Sequence, residues 1–518
     1  MKALRKVGYI FIGLELVLSI IFMILLVMTS MVPLALTIIV GVILFALPVL
    51  FIFMLKKKKS GITALILSFL LCCILPIGIF YLFKTNQALN SMTGANTEVE
   101  QVNVYVKIDD PVSSIAQAVA NGYVFGILAD NSDTVNETVA DINEKTGSTI
   151  TTSTYPSVFE LVTALENGEI QSIIAGQTSI SALDSTEGYE GYSKSNLKII
   201  MQDEVETEVE EEEKTEIDTD HFCAYFSGID TYGSVNVKSR SDVNIIGVVN
   251  MNTHQIILIS TPRDYYIPLS VSNGSPDKLT HAGIYGVDCS MDTLGMLYDT
   301  TVDRYVRVNF SGFKNIIDEL GGVEVYSDVT FTTALDETSG EEITFNEGMN
   351  TMTGKQALAF ARDRHHQADG DFARGRHQME VIRAVVKKMV SSDMLKNYGN
   401  VMDSMADSMQ TSMDKDEVGE IVQAQLASGE DWTVLTYSVS GVCDTKPCYS
   451  LGTSASVVIP NEDDVAYAKE LIKEGLAGTT FTQEEIDQHV TKVDEADLIP
   501  IEEGDTSTEA PISDYKDN

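Results

Sequence analysis

Three long apolar runs open the chain, Val7–Thr29, Pro33–Leu55 and Gly61–Phe83, each of 23 residues. At 1.5 Å per helical residue, each reaches across the roughly 30 Å of a hydrocarbon core, which predicts three membrane-spanning helices. A cleaved leader would show one short run, so the pattern predicts a permanent anchor over residues 1–84. Lys2, Arg5 and Lys6 precede the first run and Lys56–Lys59 separate the second from the third, whereas the first connection is uncharged. The positive-inside bias therefore puts the N-terminus in the cytoplasm and the domains after residue 84 outside. Glu15 stands within the first span, where an acid is either functional or held by an interhelical hydrogen bond.

After the anchor, alternation and helical periodicity interleave. QVNVYVKI and YVFGILAD read as strands, SSIAQAVANG as a short helix, NETVADINEKTG and VFELVTALENGE as helices closed by Gly147 and Gly168, and IQSIIAG as a further strand. This predicts a small α/β accessory domain over 98–200, without a nucleophile constellation, metal spacing or phosphate loop. The stretch 202–216 carries nine acidic residues and one Lys, and marks a solvated linker at 201–219.

A larger α/β domain follows over 220–480. AYFSGID is a strand ending at Asp230; DVNIIGVVN and THQIILIS form a hairpin about Met251–Asn252. CSMDTLGMLYD reads as a helix, RYVRVNF as extended, SGFKNIIDELGG as a helix with Ser311 at its N-cap, and VEVYSDVTF as a strand. MDKDEVGEIVQAQL and DVAYAKELIKEGL read as helices flanking the strand WTVLTYSVSG. Residues 481–518, acidic and rich in Ser and Thr, read as a disordered tail.

Charge sharpens this division. Residues 1–84 carry eight Lys/Arg and one Glu (+7), and the remainder 27 Lys/Arg against 74 Asp/Glu (−47). Such a field excludes nucleic acid as a partner of a broad basic surface, so any anion must be met by a local cation cluster. Cys443 and Cys448 bracket DTKP, which reads as a turn that a disulfide would close in an exported domain, with zinc the weaker alternative.

One segment, Lys355–Ser391, holds such a cluster: Arg362, Arg364, Arg374, Arg376 and Arg383 are five of the nine arginines after the anchor. Guanidinium groups grip phosphate bidentately, but a salt-bridged helix face would have the same composition. Arg374 and Gln378, four apart, share a helix face with His377 beside them, and Met379, Ile382, Val386 and Met389 form an apolar stripe. If extended, Arg362 and Arg364 also share a face. Asp230 and Asp242 fall at neighbouring strand ends, where two carboxylates are either a Mg²⁺ site beside phosphate oxygens or ordinary turn residues. Arg263 and Asp264 lie on the same rim.

The ordered blocks GID, RSDVNIIGVVN, ISTPRD, KLTHA, VNFSGFKNIIDELGGVEV, GKQALAFARDR and GDFARGRHQ, between Ala224 and Met389, resemble the LytR–CpsA–Psr (LCP) family, in its capsule-type branch with three spans and an accessory domain. The resemblance implies an α-β-α layered catalytic domain. It also implies transfer of a glycopolymer, capsular or teichoic-acid-like, from polyprenyl pyrophosphate to a peptidoglycan hydroxyl. A lipid-diphosphate pyrophosphatase and a non-enzymatic adaptor of polymer assembly are the alternatives. Asp230 and Asp242 then match metal-associated aspartates for Mg²⁺ or Mn²⁺, and Arg263, Arg362, Arg364, Arg374 and Gln378 match pyrophosphate-binding positions. Lys278 matches a further basic position. His377 stands where the family commonly has Arg, and Thr280 where it has Asn. Asp242 or Asp371 is the candidate base. Implied partners are the lipid-linked polymer, peptidoglycan, the membrane and, through the accessory domain, polymer-export or synthesis proteins.

Overall fold

The computed structural model describes residues 2–93, 97–129, 133–186, 188–208, 219–229, 234–335, 340–364, 370–389 and 397–490. Three helices lead, α1 (Lys2–Met28), α2 (Leu34–Met54) and α3 (Lys58–Met92), all long and apolar enough to cross a membrane. Ser68 of α3 donates to Glu15 Oε2 of α1 at 2.5 Å, so the acid is held between helices. Arg5 donates to the Leu55 and Lys56 carbonyls and so satisfies the end of α2. Helix α3 does not stop at the expected Phe83. Its polar last turns continue to Met92, because Ala88, Leu89 and Met92 are buried against the catalytic domain.

The accessory domain is built from β1 (Thr97–Lys107), α4 (Ile115–Ala120), β2 (Val124–Leu128), α5 (Asp133–Thr146), β3 (Thr151–Tyr155), α6 (Val158–Glu166), β4 (Ser172–Gly176), α7 (Gln177–Ala182), α8 (Tyr192–Ser195) and β5 (Leu197–Glu208). Its sheet runs β3-β2-β4-β1-β5. The expected linker start at 201 falls inside β5, which pairs with β1 out to Glu208. The ladder absorbs the acidic alternation there, because every second side chain of a strand points away from the core. Residues 209–218 lie outside the described residues.

The catalytic domain contains β6 (His221–Ile229), β7 (Ser241–Asn250), β8 (Gln255–Ser260), β9 (Tyr266–Pro268), β10 (Pro276–Lys278), α9 (Val287–Tyr298), β11 (Arg304–Asn309), α10 (Phe310–Glu319), β12 (Val323–Ser327), β13 (Phe331–Ala334), β14 (Glu342–Phe345), β15 (Gly348–Met352), α11 (Gly354–Arg362), α12 (Asp371–Met389), α13 (Tyr398–Ser408), β16 (Met409–Thr411), α14 (Lys415–Ser428), β17 (Thr433–Ser438), β18 (Gly441–Pro447), β19 (Ser454–Pro460), α15 (Glu462–Leu476) and α16 (Gln483–Asp487). The central sheet has the order β16-β11-β6-β7-β8-β17. Period-2 alternation decides the layers: Tyr225, Ile246, Val248, Ile257 and Ile259 face α9 and α15, and Ile245 and Leu258 face α12. The result is an α-β-α sandwich.

The cap of α10 is Asn309, whose side chain accepts from Gly312 N; the expected Ser311 lies inside the helix. Cys443 and Cys448 form no disulfide. DTKP is not a turn but part of β18, and an extended run of five residues separates the two Cα atoms by ~16 Å, beyond disulfide reach. The supposed tail is ordered through residue 490, because α16 buries Ile486 in the main core and Gln483 pairs with both backbone groups of Thr436. Ile486→Ala should therefore lower stability by about 2–4 kcal/mol, measured by urea unfolding followed through the single Trp432; no loss would place α16 outside the fold.

Candidate functional site

The strand directions gather one rim. β6 is antiparallel to β7 and β7 to β8, while β17 runs parallel to β8 with Ser438 beside Ser260. The end of β6, the start of β7 and the ends of β8 and β17 thus lie along one edge of the sheet. Asp242, second residue of β7, accepts from Arg263 Nη1 at 2.9 Å. Arg263 Nε lies 3.6 Å from Asp264 Oδ2, and Lys278 Nζ 3.1 Å from Asp264 Oδ1. Charges of alternating sign therefore run Asp242–Arg263–Asp264–Lys278. The main chain is fixed as well: Thr280 N donates to Arg263 O and Val458 N to Asp264 O.

Helix α12 brings in the next cation. Arg374 and Gln378, one turn apart, line a pocket with Asp242, Ser260, Arg263 and Ser438. Gly375 permits the close approach, since a Cβ there would stand 2.6 Å from Ser260 Oγ. Ser438 Oγ is buried without a hydrogen-bond partner among the described residues. Gln378 donates to the Ala361 carbonyl at 3.3 Å, tying α12 to the end of α11, where Arg362 and Arg364 follow. The Arg362 guanidinium lies over the Phe310 ring, 4.6 Å from its centroid. Arg362, Arg364 and Lys278 do not line the pocket itself.

Two residues of the arginine segment belong elsewhere. Arg376 faces Asp328 at 3.8 Å, and Arg383 donates to Glu380 at 2.7 Å. His377, expected among the substrate contacts, is a core residue. It is 2% exposed, stacks between Phe360 (4.0 Å) and Phe331 (5.3 Å), and its Nδ1 donates to the Phe360 carbonyl. Burial pushes its pKa down, so it supplies neither charge nor contact at the pocket. Asp230 and the Asp371 side chain lie outside the described residues; Asp230 directly follows Ile229, which pairs with Ser241 beside Asp242.

Burial alone would push the Asp242 carboxyl up, but Arg263, Arg374 and Arg240 together overcome it and hold the group at about 2. Asp264 is likewise held below the carboxylate range, burial being overcome by Lys278 and Arg263. Arg240, Arg263, Arg374 and Lys278 thus converge on Asp242 and Asp264 at one rim of a strongly acidic domain, an arrangement with the donor chemistry for phosphate oxygens. The role of Asp264 and the Ser260–Ser438 pairing were missed in the sequence; adjacency to Arg263 signalled the first, and the second depends on a parallel pairing between remote segments.

The model of the LytR_cpsA_psr family matches residues 187–461, over half of the chain. A second model, DNA polymerase processivity factor, matches 58–175, starting in a membrane helix and ending within β4, so it follows no structural unit. A polyisoprenyl-teichoic acid–peptidoglycan teichoic acid transferase TagU of Enterococcus faecalis is 31% identical over 218 residues, covering 41% of this chain and 69% of that protein. One of the same name from Bacillus mycoides is 36% identical over 182 residues, 35% of this chain and 57% of that protein. Among solved structures, B. subtilis TagV is 25% identical with a TM-score of 0.41, over 51% of this chain and 100% of that one. TagT bound to LI-WTA is 26% identical with a TM-score of 0.39, over 51% and 94%.

The depressed carboxyls set a pH dependence. A group whose folded pKa lies below its unfolded value contributes stability above the unfolded value, near 4, and loses it as pH falls through the folded one. The stability difference between the wild type and Asp242→Asn should be constant from pH 7 to about 5 and shrink between about 4 and 2. Thermal unfolding across that range measures it; a difference that persists at the lowest pH would contradict the assignment.

Proposed function

The chain belongs to the LytR_cpsA_psr family, and from that premise we propose that it is a membrane-anchored phosphotransferase. It moves a glycopolymer from polyprenyl pyrophosphate to a peptidoglycan hydroxyl outside the cell, with its N-terminus cytoplasmic. The observation that carries this reading is the convergence of Arg263, Arg374 and Gln378 on one pocket with Asp242, in a domain that is otherwise strongly acidic. The unpartnered Ser438 Oγ supports it by offering a further donor to a phosphate oxygen. The teichoic acid named for the relatives favours that class of polymer over capsule.

In the transfer, the acceptor hydroxyl oxygen attacks the phosphorus attached to the polymer. The P–O bond to the bridging oxygen breaks, polyprenyl phosphate departs with the electron pair, the hydroxyl proton passes to the departing phosphate or to water, and a phosphodiester remains. Little covalent help is needed; the reacting oxygens must be held in line and the charge neutralised. Arg263, Arg374 and Gln378 hold the diphosphate, and Arg362 and Arg364 flank it from the end of α11. Lys278 acts at one remove, fixing Asp264 and through it Arg263. Asp242, with Asp230 from the adjoining strand end, would hold Mg²⁺ or Mn²⁺. The donor chemistry fits, since Asp242 is kept ionised, and with no cluster of three or more His, Cys, Asp or Glu among the described residues, phosphate and water would complete the shell. Such an ion, when bound, neutralises phosphate charge. A carboxylate held this low is a weak base, which disfavours Asp242 as the proton acceptor.

Labelled lipid-linked polymer incubated with the full chain should pass its label to peptidoglycan. Arg374→Ala should lower that rate by about 10²–10³-fold, the scale of one lost oxyanion donor. Hydrolysis at the same rate with or without peptidoglycan would identify a pyrophosphatase instead, and an unaltered rate in Arg374→Ala would remove the pocket from the chemistry.

A further inference from the structure

The first accessory strand begins not in solvent but inside the catalytic domain. Glu98 of β1 is 4% exposed and lies 2.7 Å from Arg307 Nη2 of β11, itself 1% exposed. Its carboxylate also accepts from Val287 N at the start of α9 (3.4 Å). Gly286 makes room for it: a Cβ there would stand 2.7 Å from Glu98 Oε2. Arg307 Nε and Nη1 have no hydrogen-bond partner among the described residues, so its hydrogen bonding and charge balance rest on Glu98.

The next two residues of β1 hold the segment that leads into Asp242. Val99 N donates to the Asn236 carbonyl and Lys238 N to the Val99 carbonyl, both at 2.8 Å, forming a short parallel bridge. Glu100 faces Lys238 Nζ at 3.5 Å, and Thr178 Oγ1 of α7 donates to the Lys238 carbonyl at 2.9 Å. From the other side the 3-10 turn Leu279–Ile284 presses on the segment, where a Cβ on Gly283 would meet Ser239 O at 2.3 Å. Four residues after Lys238 comes Asp242.

We infer that the accessory domain is a structural arm of the catalytic rim, and that Glu98 is a positioning residue that anchors β1 so that Val99 and Glu100 fix the Asn236–Ser241 approach to Asp242. Strand ladders transmit position without touching substrate, and a charge anchored on a buried guanidinium does not slide. The catalytic consequence rests on the transferase reading above; the mechanical one does not.

The test uses the full chain in detergent, as wild type, Glu98→Gln, Glu98→Ala and Glu98→Ala/Arg307→Met. The last removes the stranded charge and keeps the question open if Glu98→Ala alone fails to fold. Amide hydrogen exchange over 234–243 should rise about tenfold in the Ala variants, while β8 and β17 keep their protection and Glu98→Gln, which keeps a hydrogen bond but not the charge, falls between them and wild type. In the transfer assay kcat should fall about tenfold with KM for lipid-linked polymer within about twofold, the pattern of a lost transition-state arrangement. Unchanged exchange at 234–243, or exchange rising evenly across the catalytic sheet, would overturn the proposal, as would full kcat in a variant whose segment has loosened. If the wild type transfers no polymer, the functional reading falls, and exchange alone decides whether Glu98 holds the segment.

Discussion

The site depends on a row of charges that cannot relax into water. Asp242, Arg263, Asp264 and Lys278 succeed one another at 2.9, 3.6 and 3.1 Å, with side chains between 6% and 24% exposed. Each ion is tolerated at that depth because its neighbour carries the opposite sign; removing one would strand the next. The row holds the Arg263 fork in one orientation before any substrate arrives, and lets Arg374 stand nearby as an added positive charge. Pre-organisation of this kind moves the cost of arranging the cations from binding to folding.

The rest of the molecule supports that rim from three directions. α3 continues out of the anchor to pack Ala88, Leu89 and Met92 against α10 and α13, and Lys84 pairs with Asp403 at 2.7 Å. α14 sits against the ends of α1 and α3, with Gln423 donating to the Ser30 carbonyl and Lys415 to Asn86 Oδ1. The central sheet is therefore joined to the apolar helices through α3, α13 and α14. The accessory strand enters from a third side.

Much of this was legible in the sequence. The apolar runs foretold the membrane helices, and the short β-rich runs foretold β6, β7 and β8, whose apolar residues are near-continuous because each strand buries both faces between helices. Asp242, Arg263, Arg374 and Gln378 were picked out and are brought together. What was not legible shares one cause, dependence on remote partners. Spacing puts His377 beside Gln378, but only Phe331 and Phe360, from other elements, show that it turns into the core. The DTKP segment looked like a turn until β19 paired with it. The acidity around α16 masked the one buried residue, Ile486, that holds it. Glu98 precedes the strand read from QVNVYVKI, and nothing beside it in the sequence points to Arg307, more than two hundred residues away.

The central claim is that the rim is preset for a lipid's diphosphate, and equilibrium binding tests it most directly. Calorimetric titration of the full chain with farnesyl diphosphate and farnesyl monophosphate should show a clear preference for the diphosphate. In Arg263→Ala/Arg374→Ala that preference should vanish, with affinity falling by about 100-fold or more, roughly 2.7 kcal/mol. Equal affinity for both ligands in the wild type, or undiminished diphosphate binding by the double variant, would contradict the account.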